Sequence, residues 1–186
     1  MLAVSPFSGK VRGFTLIELL VVLALLAIIA SLAAPSFQRT IARQKLSLAA
    51  SDLMASAMQA RSEAIKNNQQ AVVQPVVDTD WGQGWRIYVD VDKDKVYTEG
   101  TDTLVTTVPA VADGVLVYEV ALNSAVGNLV AFDASGFLVG RNAGRIVFSS
   151  NSLPSSELRK GIKVSVTGRT RICSSVPGND GCASSD

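Results

Sequence analysis

The stretch GFTLIELLVVLALLAIIASLAAPSF, residues 13–37, decides what this chain can be. From Leu19 to Gln38 no residue carries a charge, and most positions are Leu, Val, Ile or Ala. About twenty helical residues rise about 30 Å, the thickness of a bilayer's hydrocarbon core. Lys10 and Arg12 precede this run, and Glu18 stands at its head. A carboxylate inside that slab costs roughly 2.5–3.5 kcal/mol on insertion scales, so Glu18 needs a partner or a task.

Three organisations fit the first 37 residues. One is an ordinary secretory signal, with Lys10 and Arg12 as its basic region and a cleavage site near Ser31-Leu32-Ala33. The second is a plain membrane anchor. The third is a processed anchor, in which a short leader is cut away and the apolar helix is kept. Glu18 separates them, because neither a discarded signal nor a plain anchor gains anything from a carboxylate at that position. An unprocessed anchor carrying a binding domain is the reading from a different functional class. In each anchored case the basic residues before the span keep the leader cytoplasmic and place everything after Phe37 outside.

The remaining chain is long enough for one domain of ordinary size among the 186 residues. There is no histidine, which removes Ser-His-Asp and Cys-His catalysis and every His-ligated metal site. The carboxylates, lysines and tyrosines form no recognisable catalytic pattern, so no enzymatic activity and no cofactor are expected. Lys plus Arg number 17 against 16 Asp plus Glu. Loss of residues 1–13 removes Lys10 and Arg12 and no acid, taking the side-chain charge from 17 − 16 = +1 to 15 − 16 = −1. Charge is nevertheless segregated: most acids lie between Asp78 and Asp133. Arg141, Arg145, Arg159, Lys160, Lys163, Arg169 and Arg171 face Glu157 alone in the late segment.

After Pro35 the helical period persists. Leu46, Ala50, Leu53, Ala57, Ala60 and Ala64 recur at three- and four-residue spacings, a stripe of small residues suited to close packing on a sheet. This predicts one helix over about 14–67, bent near Pro35, where a backbone donor is missing, and stopped at Asn67-Asn68. The period then becomes two, and strands are expected over 71–77, 84–91, 103–108, 114–122, 128–133, 144–150 and 161–167. Pro75 marks the first strand as an edge, or as broken there. Strands following a helix without further helices give an α+β fold, with one or two antiparallel sheets on a long N-terminal helix.

The segment RGFTLIELLVVLALLAIIASLAAPSF resembles the class III signal of type IV pilins and type II secretion pseudopilins, through Gly13, the run Phe14-Thr15-Leu16-Ile17-Glu18, and the apolar helix containing Pro35. The resemblance implies a leader over 1–13, a transmembrane and filament-core helix over 14–37, and a periplasmic domain over 38–186. It implies that prepilin peptidase cleaves between Gly13 and Phe14 and methylates the new amino terminus. It also implies that Glu18 pairs with the terminal amine of a neighbouring pilin in the filament, after residence in the inner membrane. Within this class the segments ARSEAIKNNQQ (60–70), WGQGWRIYVDVDKD (81–94), FDASGFLVGRNAGRIVFSS (132–150) and VTGRTRICSS (166–175) look most like the group named for the minor pilins FimT and FimU and the pseudopilin GspH. The function so implied is that of a minor pilin at or near a type IV pilus tip. The alternative is a minor pseudopilin of a type II secretion system.

Three further sites stand out. Asp90, Asp92 and Asp94 have the one-three-five spacing of a calcium loop, but the sixth position is Lys95 instead of glycine and the twelfth is Thr101 instead of glutamate. On that frame the segment reads as an acidic hairpin tip, and no metal is expected. Cys173 and Cys182 lie nine positions apart around a turn-rich segment of an exported domain and are expected to form a disulfide. Finally, Arg169 and Arg171 of GRTR project from one side if extended, beside a glycine that allows close backbone approach. A C-terminal Gly-Arg-x-Arg of this kind binds DNA in FimT-like pilins. The resemblance therefore points to Arg169 and Arg171 as contacts to double-stranded DNA, with Lys160, Lys163, Arg141 and Arg145 in support. A positive strand edge kept against aggregation is the competing reading.

Overall fold

Thr15 and Glu18 start the helix between them. In the computed structural model, Glu18 Oε2 accepts hydrogen bonds from the Thr15 N–H at 2.8 Å and from its hydroxyl at 3.0 Å. The Glu18 N–H in turn reaches Thr15 Oγ1 at 3.3 Å. This is a capping box, in which two orphan donors of the first turn are satisfied reciprocally. Helix α1 then runs over Leu16–Asn67, and its helical backbone continues through Pro35. Asn68 takes φ 53°, while the N–H groups of Asn68 and Gln69 return to the carbonyls of Ile65 and Ala64. That pair of bonds is a Schellman stop, with asparagine where glycine is commoner.

The structure describes residues 13–122, 128–141, 143–154, 158–176 and 178–183. The leader expected over 1–13 therefore lies, apart from Gly13, outside the described residues. Two compact units divide at Gln38 and Arg39. In the first, every described side chain of α1 from Leu16 onward is exposed, and this part of the helix is long and apolar enough to cross a membrane.

In the second unit the stripe of Leu46, Ala50, Leu53, Ala57, Ala60 and Ala64 is fully buried. Strands β1 (Gln70–Val77), β2 (Asp80–Asp90), β3 (Thr103–Val108) and β5 (Val130–Phe132) form one antiparallel sheet in the order β3-β2-β1-β5. Strands β4 (Val115–Ala121), β6 (Gly144–Ser150), β7 (Arg159–Val164), β8 (Thr170–Val176) and β9 (Asn179–Asp180) form a second in the order β4-β6-β7-β8-β9. Val73, Trp85, Ile87 and Phe132 from the first sheet, and Ile146, Phe148, Ile162 and Val164 from the second, share one core with Leu46, Leu53, Ala57, Ala60 and Ala64 of the helix. Trp85 Nε1 donates to Ser56 Oγ at 2.8 Å, which satisfies a buried indole without opening the helix–sheet contact.

Pro75 sits where a proline can sit. β5 pairs with Ala71–Val73, so among the described residues β1 has no partner on that side at Pro75, and the β1–β2 register slips between Pro75 and Val77. Strand β7 departs from its expected range. It begins at Arg159 and ends at Val164, because Ser165–Arg169 turn back as a hairpin: the Ser165 N–H donates to Arg169 O and the Gly168 N–H to Ser165 O, both at 2.9 Å. Strands β8 (Thr170–Val176) and β9 (Asn179–Asp180) lie beyond the last strand expected from the sequence, which ends at residue 167.

Candidate functional site

The GRTR segment straddles the end of that hairpin. Gly168 has φ +76°, and a Cβ built there would lie 2.0 Å from the carbonyl oxygen of Gly136. Arg61, from the ARSEA end of α1, donates to Gly136 O at 2.9 Å and to Thr167 O at 3.1 Å, clamping both turns onto the helix. The glycine therefore serves backbone packing inside the molecule, and the close approach expected of it is made to a neighbouring turn.

The two arginines emerge on the other side. Cross-strand register pairs Arg145 with Lys163 and Lys163 with Arg171, so these three cations form one row across β6, β7 and β8. Ile146, Ile162 and Val164 point the opposite way into the core, which puts the row on the outer face. Arg169 and Arg171 are exposed. Together with Arg145, Lys163, Ser165 and Cys182 they line a cleft of about 270 Å³. Like charges directly opposite one another in a sheet are destabilising, so such a row favours an anion over it.

Not all of the expected cations contribute. Lys160 pairs in register with buried Phe148 and donates through Nζ to Ser47 Oγ at 2.8 Å, so it is turned to the helix and away from the cleft. Arg141 lies over the Phe137 ring at 5.8 Å, and neither it nor Lys160 lines the cleft. Arg145 is partly spent: Nη2 and Nε hold Glu119 at 2.6 and 3.1 Å. Those bonds are the main reason its pKa is raised above the ordinary arginine value, with burial opposing. Lys163, Arg169 and Arg171 line the cleft beside it as a cationic wall.

The disulfide joins Cys173 and Cys182, with Cα atoms 5.1 Å apart. Both cysteines are buried with Val147 as a small apolar cluster on this same outer face. Gly161, between Val147 and Cys173 in the register, has no side chain to obstruct them. The bridge thereby fixes the tail at the edge of the cleft. Glu18 and Phe14 are exposed at the head of α1, with Gly13 just before them. Thr-x-x-Glu ahead of an apolar run is the ordinary sequence sign of the capping role that Glu18 takes.

An exposed apolar half-helix opening on a capped glutamate, whose second half packs through small residues on antiparallel sheets, defines the class of the pilins and pseudopilins. The prokaryotic N-terminal methylation motif matches residues 9–34, and the family described as type II transport protein GspH matches residues 49–168. The chain belongs to the GspH family. Its fold is similar to that of the type IV minor pilin FimU of Pseudomonas aeruginosa strain PAO1, at 22% identity and a TM-score of 0.55 over 70% of this chain and 89% of that one. It is also similar to the minor pseudopilin EpsH from the type 2 secretion system of Vibrio cholerae, at 15% identity and a TM-score of 0.51 over 73% of this chain and 99% of that one. The type IV major pilin protein PilA of Myxococcus xanthus strain DK1622 is 48% identical over 52 residues, 28% of this chain. That match spans 24% of PilA.

Proposed function

We propose that this chain is a minor pilin of a type IV pilus, assembled through the first half of α1, and that its exported domain contacts double-stranded DNA through Arg169 and Arg171 with Lys163. The observation that carries the filament reading is the fully exposed apolar half of α1, a surface of Leu, Val and Ile that water does not tolerate. It is held in the inner membrane first and in the filament core afterwards. Prepilin peptidase cleaves between Gly13 and Phe14, the domain beyond Phe37 is exported, and Glu18 meets the freed amine of a neighbouring subunit. Each of those charges is costly in an apolar core, and pairing offsets both. The DNA reading is supported by the cationic row and by the cleft beside it, since guanidinium forks grip phosphates bidentately.

DNA retention by the processed protein in detergent micelles tests the nucleic-acid part. With about three phosphate contacts, log affinity should fall with log salt at a slope of about −2.7. Arg169→Ala with Arg171→Ala should abolish retardation, while Lys160→Ala should leave it unchanged. A wild-type protein that shows no salt-sensitive retardation removes the DNA contact.

A second reading is a minor pseudopilin of a type II secretion system, favoured by the family to which residues 49–168 belong. Presence of the chain in filaments sheared from the cell surface supports the pilus. Its retention in the envelope, with secretion halted when the chain is deleted, supports the second reading.

A further inference from the structure

The connection between β2 and β3 gathers three carboxylates. Asp90 closes β2, Asp92 lies in the loop and Asp102 immediately precedes β3, and one oxygen of each lies within 4.8 Å of the others. Asp90 and Asp102 are buried, while Asp92 is exposed. The Asp90 carboxylate is half satisfied. Its Oδ2 accepts from Gln70 Nε2 at 2.6 Å and from the Lys95 N–H at 3.1 Å, whereas Oδ1 is buried and has no hydrogen-bond partner among the described residues. None of the three acids forms an ion pair among the described residues. The Tyr88 hydroxyl, two residues back on the same strand face, is also buried without a partner among the described residues.

Burying an unpartnered carboxylate oxygen beside two further carboxylates is unfavourable by both desolvation and repulsion. A cation removes both penalties, and the spacing suits one. Oxygens bound to a shared calcium ion at about 2.3–2.6 Å can stand no more than about 5 Å apart. We propose that Asp90, Asp92 and Asp102 bind a calcium ion, which ties the β2–β3 connection down over the outer face of the first sheet. The donors are hard oxygens only; the chain has no histidine and both cysteines are bonded to each other, so the imidazole and thiolate ligands that zinc and copper favour are missing. The exposed Asp92 side leaves room for water and carbonyl ligands in an irregular shell, which calcium accepts and magnesium resists. The expectation of an acidic tip without a metal rested on Lys95 and Thr101 standing where a hand-type loop needs glycine and a closing glutamate. Folding instead delivers Asp102, beside its bridge to Glu99.

Calorimetry and thermal unfolding of the full chain in detergent, stripped with EGTA and titrated with calcium chloride, test the site. One calcium should bind with Kd on the order of 10⁻⁴–10⁻³ M, as in extracellular modules. At a tenfold excess over Kd the unfolding midpoint should rise by about 3–6 °C. Asp92→Asn, on an exposed side chain, and Asp102→Asn should each weaken binding at least about tenfold by removing one charge, and should remove the shift. The proposal is overturned by any of three outcomes: no heat and no shift at about 10 mM calcium, a full shift retained in Asp92→Asn, or an equal shift with magnesium.

Discussion

At the residue scale, Thr15 and Glu18 close the first turn of α1 on their own side chains, and this changes what a substitution at position 18 reports. Replacing Glu18 by Ala removes the cap and the charge together, so failed assembly would not say which was needed. Glu18→Gln keeps a side chain able to complete the capping box and removes only the charge. If charge pairing sets the register, the Gln variant should reach the membrane at the wild-type level yet be lost from sheared filaments. The check is an immunoblot of both fractions, and equal incorporation would assign Glu18 to helix capping alone. Gly168 carries a similar lesson. Its absence of a side chain answers to Gly136 O inside the protein, so Gly168→Ala would damage folding before it damaged any contact of Arg169 or Arg171.

At the scale of elements, the helix–sheet contact rests on alanines that let α1 approach and on a buried polar link across the gap. Ser56→Ala leaves the Trp85 indole N–H buried without an acceptor, and should cost about 1–3 kcal/mol, the price of an unmade buried hydrogen bond. Urea unfolding of the full chain in detergent measures it. A change below about 0.5 kcal/mol would mean that water replaces the hydroxyl. The helix was legible because six buried positions share one period, and β1, β3 and β6 because β-branched and aromatic residues fill them. The end of β7 was not legible. Val164, Ser165, Val166 and Thr167 continue the alternation by composition, and only the bonds among Ser165, Gly168 and Arg169 break it. β8 is less legible for the opposite reason: Arg171, Cys173, Ser174 and Ser175 interrupt its β-branched residues, yet residues 170–175 pair with β7.

At the scale of the whole molecule, net charge near zero means that any anion must be recognised by a local surface, and the disulfide helps to hold that surface in place. Cys173→Ser with Cys182→Ser should remove at most about 3 kcal/mol in the loop-entropy account, a fall of about 5–10 °C in the midpoint. Circular dichroism on heating reads the change, and an unaltered midpoint would show that the tail is held by β8 and β9 pairing alone. The sequence by itself determined the apolar span with its glutamate, the long helix with its stripe of small residues, the succession of short strands and the paired cysteines. All are local patterns, written in period, charge and composition within a few turns of chain. Only the tertiary structure decided that Lys160 faces the helix while Lys163 stands between Arg145 and Arg171, that Arg145 is held by Glu119, and that Asp102 joins Asp90 and Asp92. Those facts depend on register across strands far apart in the chain, where a shift of one residue turns a side chain to the opposite face.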